Sequence, residues 1–325
     1  MPVNPQIIFT SAKHAELLEK QFEEKAGDND IIAKTIVSCV SSGSECGGYS
    51  DFFGGNRYPM ATGYIGILRV LETGKNVGAY KPGDIIFART PHQLYNRIEA
   101  KEALRVPPDM PVESAVLARF PAVSMPTLVR TQIKPTEPVL VVGLGIVGLF
   151  CAQMMQHCGY EVYAIDIDAA RRETASKCGV RHAHASIEET PAYGKYGLGI
   201  DCTGGDGAVM AMVKAIRKGG ELSLVGVPWR KTSEHNMHQF MYEIFYQFLT
   251  VYSGFEWCLP VHEQPFMPNS NYKLFETAMQ WINEGRIQVE GAYALRDPRK
   301  CDEVYQQISK GQLPTTCAIF DWRSF

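Results

Sequence analysis

The stretch "VVGLGIVGLF", residues 141–150, decides the fold. Its glycines, Gly143, Gly145 and Gly148, stand in G-x-G-x-x-G spacing. They follow a β-branched apolar run (138–145, "PVLVVGLG") and open a helical run (147–159) closed by Gly159. In such a strand–turn–helix unit the first glycine makes the tight turn and the second lets the backbone approach a pyrophosphate. The third lets helix and strand pack closely. The backbone at Ile146, Val147 and Gly148 then forms the helix N-terminus that attracts phosphate charge. The next strand, "EVYAIDID", places Asp166 23 positions after Gly143. A carboxylate there hydrogen-bonds an adenosine ribose 2′-hydroxyl and repels a 2′-phosphate, so the expected cofactor is NAD rather than NADP. Arg171 and Arg172 temper that preference, because an arginine nearby accepts a 2′-phosphate; a solvated helix face is their other reading.

Outward from this unit, strands alternate with helices of ten to fifteen residues through "GLGIDCTGG", "DGAVMAMVKAIRKGG", "ELSLVGVP", "MHQFMYEIFYQFL" and "TVYSG". That alternation implies a doubly wound parallel sheet covered on both faces. The first 120 or so residues are instead irregular and β-leaning, with turn signals such as "KPGD" at 81–84. After residue 260 come an amphipathic helix (Leu274, Phe275, Ala278, Trp281 and Ile282 on one stripe) and a strand–helix–strand ending. The expected fold class is α/β, an α/β domain inserted into a β-rich one. Its expected segments are 1–122 (β-rich), 123–262 (dinucleotide-binding) and 263–325 (return to the first).

Composition narrows the function classes. A chain of 325 residues with 45% hydrophobic and 21% charged residues is an ordinary globular protein of two domains. A net charge of −3 and a pI near 6.3 give no reason to expect nucleic acid or an anionic membrane as partner. No signal-like N-terminus and no run of eighteen apolar residues is present, and nine cysteines without a CxxC pair read as free thiols. These features predict a cytoplasmic protein.

The chain resembles the medium-chain dehydrogenase/reductase superfamily, the relatives of zinc alcohol dehydrogenase. The resemblance rests on "SSGSE" (41–45), "YPMATGYIGILRVLETG", "YKPGDIIF", "IKPTEPVLVVGLGIVG", "IDCTGG" and "KGGELSLVGVP". It implies a GroES-like catalytic domain split around a Rossmann domain, with the active site in the cleft between them. It also extends the cofactor site to Thr203 and Gly204 and to Val225 and Gly226. At the three positions that carry the catalytic zinc in this family, the chain has Ser42, Tyr64 and Arg119. None is a good zinc donor, and an arginine repels the cation. The segment 85–110 also lacks the four cysteines of the family's structural zinc. Neither zinc is expected. "SSGSE" followed by Gly63-Tyr64 is similar, more narrowly, to the branch that includes bacteriochlorophyllide dehydrogenase-like proteins, without implying their tetrapyrrole substrate.

Without a metal, alcohol oxidation needs a side-chain base or a hydrogen-bonded relay. The candidates are Tyr64, His92 and Ser44 as catalytic groups, with Ser42, Glu45, Arg119 and Trp257 lining a substrate. Each has a structural alternative. Tyr64 fills the volume of a lost histidine and zinc, Ser42 and Ser44 satisfy a turn, Glu45 is an ion-paired or surface carboxylate, and His92 is an exposed loop histidine. Arg119, among apolar residues, reads as a polar-pocket group. The tract around Tyr252 to Trp257 either walls the substrate or is core packing.

The expected function is a zinc-independent NAD(H) oxidoreductase that interconverts a secondary alcohol, such as a sugar or cyclitol, and its ketone. The alternatives are an NADPH enone or quinone reductase, an enzyme that retains NAD for elimination or epimerisation, and a nucleotide sensor. The expected partners are a small-molecule substrate and a second copy of the chain, docked through residues 237–254 as the resemblance implies.

Overall fold

The structure is a computed structural model describing residues 3–23, 25–52, 54–229 and 231–325. Two compact units emerge: residues up to Leu117 together with Tyr293–Phe325, and Ala118–Ala292. In the first the chain runs β1 (Val3–Ser11), β2 (His14–Gln21), β3 (Asp30–Cys39), α1 (Ser42–Ser50) and β4 (Met60–Ala61). It continues through β5 (Gly66–Thr73), β6 (Ile85–Ala88), β7 (Tyr95–Glu99), β8 (Ala103–Arg105) and α2 (Val112–Val116). The second unit begins with α3 (Arg119–Arg130), β9 (Val139–Val142), α4 (Ile146–His157), β10 (Val162–Ile165), α5 (Ala169–Lys177) and β11 (His182–His184). Next come β12 (Tyr196–Asp201), α6 (Asp206–Ala215), β13 (Ile216–Leu224), α7 (Met237–Gln247), β14 (Thr250–Ser253) and α8 (Asn271–Asn283). The chain returns to the first unit through β15 (Tyr293–Arg296), α9 (Cys301–Ser309) and β16 (Cys317–Asp321).

The first unit is built on antiparallel pairing. Its larger sheet has the order β15-β16-β3-β5-β6-β8, with β7 also paired to β3 and only β15–β16 parallel. Alternate residues Ile31, Ala33, Leu68, Val70, Ile86 and Ile98 point into one apolar layer, as the period-2 geometry of strands requires. A second layer of large rings, Phe9, Tyr49, Tyr305, Phe320 and Trp322, lies under α1 and α9 and ties the C-terminal return to β1.

The second unit is the expected doubly wound sheet. Its six strands are all parallel, in the order β11-β10-β9-β12-β13-β14. β9, β10 and β12 are buried along their full length. Such continuous apolar runs are the mark of parallel strands covered on both faces. Strand order reverses between β9 and β12, and crevices at such a reversal, outside the carboxyl ends of the strands, are where ligands bind in open α/β sheets.

Two boundaries differ from the sequence expectation. The helix read over "DGAVMAMVKAIRKGG" ends at Ala215, because Ile216 turns extended and pairs with Tyr196 to begin β13. The return to the first unit begins at Tyr293 instead of 263. α8 belongs to the second unit, where it packs against α3 and buries Leu274, Phe275, Ala278, Met279 and Ile282. Among the described residues no helix is long and apolar enough to cross a membrane.

Candidate active site

The glycine loop is constrained at two of its glycines and open at the third. Gly143 has φ +93°, and a Cβ there would sit 2.7 Å from Thr203 Cγ2. A Cβ on Gly148 would lie 1.7 Å from the Gly143 carbonyl oxygen, so α4 approaches β9 only because this residue has no side chain. Gly145 has an ordinary φ of −62°, and nothing lies within 4 Å of a Cβ built on it. Its glycine therefore serves neither backbone strain nor internal packing; it keeps space open in front of the helix. No side chain caps α4. The N–H groups of Ile146, Val147 and Gly148 have no intrahelical acceptor by helix geometry and face outward at the positive end of the helix dipole. This cradle fits the pyrophosphate of a dinucleotide.

Asp166 is fastened to the same loop. Its Oδ2 accepts the Leu144 N–H at 2.7 Å and its Oδ1 accepts the Asp168 N–H at 2.9 Å. Arg171 Nη1 stands 3.5 Å from Oδ2 and also faces Asp168. Arg172 is turned to backbone, donating to the carbonyl oxygens of Asp166 and Ile167 at 2.7 and 3.0 Å. Both arginines thus have partners around the acid, and Asp166 stays at the edge of the cradle.

Sequence reasoning missed Asp201, which organises the rest of the cradle. This buried carboxylate accepts the Thr203 N–H at 2.9 Å, the Thr203 hydroxyl at 2.6 Å and the Gly204 N–H at 3.1 Å. Its carbonyl oxygen accepts the N–H groups of Val225 and Gly226. Burial pushes the Asp201 carboxyl above its ordinary pKa, against the pull of the Thr203 and Gly204 bonds. Gly204 has φ +68°, and a Cβ there would meet the Val227 carbonyl oxygen at 2.1 Å; one on Gly226 would meet the Gly204 nitrogen at 2.1 Å. The loops after β12 and β13 are therefore in backbone contact. They border a cavity of about 800 Å³ at the carboxyl ends of β12, β13 and β14, lined among others by Val225, Phe240, Ser253 and Phe255. The signal for Asp201 was present in "IDCTGG": an acid at a strand end followed by a hydroxyl and two glycines.

In the first unit the motif "SSGSE" lies at the start of α1. Tyr64 donates its hydroxyl to Ser41 Oγ at 2.5 Å and approaches Ser44 Oγ at 3.3 Å. Tyr64, Ser42 and Ser44 are half-buried. The predicted Tyr64 and Ser44 thus come together, with Ser41 as the partner that sequence reasoning passed over. Its position immediately before Ser42 was the available signal, but which serine meets Tyr64 depends on where α1 begins.

Two predicted roles are corrected here. His92 is fully buried, with Nδ1 2.7 Å from Ser38 Oγ and Nε2 3.2 Å from Glu45 Oε2. Both ring nitrogens are used inside the protein, so His92 is neither an exposed loop residue nor a group that touches a substrate. Glu45, 6% exposed, does not line a substrate site either. Its carboxylate accepts from Ser41 N–H (2.7 Å), Thr62 Oγ1 (2.7 Å), Tyr305 Oη (2.5 Å) and His92. Burial alone would raise the Glu45 pKa. The charge and hydrogen bond of His92, with the bonds from Tyr305 and Thr62, outweigh burial and hold it below the ordinary value. The geometry shows a partnered, buried carboxylate and not a surface one.

In the second unit Arg119 opens α3, buried, with its guanidinium paired to Glu256 and lying 5.2 Å over the Phe275 ring. Its charge is met by a protein carboxylate, which corrects the expectation that it clamps a substrate anion. Glu256 points inward between Phe255 and Trp257, which are 52% and 49% exposed. Trp257 is thus a surface aromatic of the second unit, consistent in exposure with a wall and not with core packing.

The donor set does not suit a zinc ion. The family's ligand positions carry two hydroxyls and a guanidinium already paired with Glu256. Of the flanking thiols, Cys46 is pushed up to about 12 by burial with Glu45 adding, and burial beside Cys317 holds Cys39 well above its ordinary value. Among the described residues no three His, Cys, Asp or Glu side chains converge.

A family model described as "Zinc-binding dehydrogenase" matches residues 147–256. The chain is 30% identical over 161 residues to an L-threonine 3-dehydrogenase of Pectobacterium atrosepticum, covering 47% of this chain and 42% of that protein. That match spans less than half the length of the relative. Similarity to the L-galactonate-5-dehydrogenase of Escherichia coli is 28% over 253 residues, 65% of this chain and 73% of that one. The crystal structure of galactitol-1-phosphate dehydrogenase from Escherichia coli has the same fold, with a TM-score of 0.81 at 17% identity over 98% and 99% of the two chains. Sheet order, glycine cradle and these likenesses agree: the chain has the fold of galactitol-1-phosphate dehydrogenase, and its residues 147–256 are similar to zinc-binding dehydrogenases.

Proposed function

We propose that this protein is an NAD(H)-dependent oxidoreductase that interconverts a secondary alcohol and its ketone without zinc. The observation that carries the reading is the Tyr64 hydroxyl bonded to Ser41 and near Ser44, standing where the family would place a metal ligand. Gly143, Gly145, Gly148 and the first turn of α4 would hold the pyrophosphate, and Asp166 the adenosine ribose. Bound there, a nicotinamide supplies the hydride acceptor or donor. In oxidation Tyr64 acts as the phenolate, its own proton released to solvent beforehand, and takes the proton from the substrate hydroxyl; in reduction the phenol gives that proton back, with Ser41 and Ser44 as hydrogen-bond partners that keep its oxygen in place. Ser42, one residue further into α1, is the neighbouring hydroxyl available to the substrate.

The relatives' names concern hydroxylated compounds, which supports a polyol, sugar or hydroxy-acid substrate. The "SSGSE" likeness to the bacteriochlorophyllide dehydrogenase-like branch supports a hydroxyl-lined site and does not carry that branch's substrate with it. A homodimer is part of the proposal. α7 exposes Met237, Met241 and Phe245, with Phe248 just past its end, a row of apolar side chains that is unusual on a free surface, and β14 is the edge strand of its sheet. Sedimentation should give twice the chain mass, and a monomer would remove this part of the reading.

The test is cofactor reduction with NAD⁺ and NADP⁺ offered separately against polyols, sugars, hydroxy acids and simple alcohols, with a chelator throughout. NADH formation from a polyol supports the proposal. NADPH consumption with an enone would replace it with the reductase reading, and binding without any turnover would replace it with a sensor.

A further inference from the structure

The buried Glu45–His92 pair makes five side-chain hydrogen bonds, and the proposed chemistry does not use it. An ionised carboxylate only accepts hydrogen bonds, so its contact with His92 requires a proton on Nε2. On its other side His92 Nδ1 meets Ser38 Oγ at 2.7 Å, and Ser38 Oγ in turn accepts from Trp322 Nε1 at 2.8 Å. The imidazole edge also packs on the Phe320 ring, with centroids 5.1 Å apart and planes at 81°. His92 is therefore fixed in orientation from both ends.

Two contacts lead from this pair to the candidate acid–base group. Glu45 Oε1 accepts the backbone N–H of Ser41, the residue whose hydroxyl receives the Tyr64 proton. His92 presses on the backbone immediately before Tyr64. Gly63 has φ +85°, a Cβ on it would lie 2.5 Å from His92 Cγ, and the His92 N–H donates to the Thr62 carbonyl at 2.8 Å. Both partners of the Tyr64–Ser41 bond are thus seated on one buried pair: Ser41 on Glu45, and the Tyr64 backbone on His92. Thr62 closes the circuit, since its hydroxyl bonds Glu45 and lies 2.9 Å from Tyr305 Oη.

We propose that Glu45 and His92 are positioning residues for the Tyr64–Ser41 hydroxyl pair, acting by fixing the Ser41 amide and the Gly63–Tyr64 backbone and never by contact with substrate. The proposal rests on the reading of Tyr64 as the acid–base group. Its test uses side chains that keep half of the imidazole's bonding. Glutamine can place a donor where Nε2 stands, whereas asparagine reaches only as far as Nδ1. His92→Asn should lower kcat about 10- to 100-fold, the range for losing a hydrogen bond to a charged group, with KM and NAD affinity within about threefold. His92→Gln should recover about tenfold of that loss. Equal losses in the two variants, or a loss confined to KM, would overturn the proposal, because a merely structural histidine does not distinguish them.

A second readout is independent of turnover. Hydrogen exchange at the Ser41 amide should quicken by about tenfold or more in His92→Asn and less in His92→Gln. Glu45→Gln gives the same information should His92→Asn not fold. Its single carbonyl oxygen would face the three donors at Oε2, leaving an NH₂ against the Ser41 N–H, so Ser41 exchange should quicken there too. Unchanged Ser41 exchange in the folded variants would overturn the positioning role. Wild-type protein that turns over no alcohol, with variants that do show these exchange changes, would instead sink the Tyr64 reading and leave the positioning of Ser41 standing.

Discussion

Asp166 and Leu144 are joined by a 2.7 Å hydrogen bond from the Leu144 N–H to Oδ2, so the acid at the end of β10 is built into the glycine loop after β9. One carboxylate shapes the glycine loop and, on the proposed function, would also hold the ribose. Asp166→Asn can keep only one of its two backbone-accepting oxygens as an acceptor. NAD⁺ affinity should fall about tenfold, as for a lost charge-assisted bond, while NADP⁺ should lose less. Fluorescence titration of the two cofactors measures the ratio; an unchanged preference would deny Asp166 its role in choosing the cofactor.

Gly145 and Gly148 should respond oppositely to the same substitution. Gly148→Ala puts a Cβ 1.7 Å from the Gly143 carbonyl oxygen, so the unit should be destabilised by several kcal/mol, on the order of a severe steric clash. Gly145→Ala meets nothing within 4 Å. It should fold with an unchanged melting temperature and lose cofactor affinity at least tenfold. Retained affinity in Gly145→Ala would show that the open space in front of α4 is not the cofactor's.

The Arg119–Glu256 pair is buried on both sides. Arg119→Met strands the Glu256 carboxylate and should cost about 3–5 kcal/mol. Replacing both residues with methionine should recover most of that loss, since burying two apolar side chains leaves no charge uncompensated. Denaturant unfolding of the single and double variants checks this; a double variant no better than the single would contradict the pair as the seat of the effect.

Acid stability should depend on Glu45. Its folded pKa lies below the ordinary value of 4.5, so it contributes stability that is fully present above that value and is lost as pH falls through the folded pKa. Unfolding midpoints of Glu45→Gln should therefore lie below wild type at pH 7 and converge with it in the acid range below 4.5. Parallel curves for the two proteins down to low pH would show that Glu45 is not held ionised by its surroundings.

What the chain disclosed in advance was local. The glycine spacing and the interval to Asp166 are fixed by one strand–turn–helix–strand unit, so their meaning survives without tertiary information. The alternation of strands and helices likewise specified the doubly wound sheet. Glu45 and His92 were identified as polar residues of interest, but their roles arise from contacts 47 positions apart with each other and 260 positions apart with Tyr305. No periodicity reports such pairings. Arg119 was recognised as unsuited to open solvent, yet its partner lies 137 residues away. α8 showed its apolar stripe plainly; the stripe does not say which of two cores it covers, and this displaced the expected boundary. Helix propensity in "AMVKAI" concealed the start of β13, because pairing with Tyr196 overrides it.

Metal-free alcohol oxidation through Tyr64 is decided by NADH formation from a polyol panel in excess chelator, with wild type and Tyr64→Phe assayed side by side. Turnover in wild type should resist the chelator, kcat should fall about 100-fold or more in Tyr64→Phe, and NAD⁺ should bind equally to both. Turnover that chelator abolishes and zinc restores, or that Tyr64→Phe leaves intact, would contradict it.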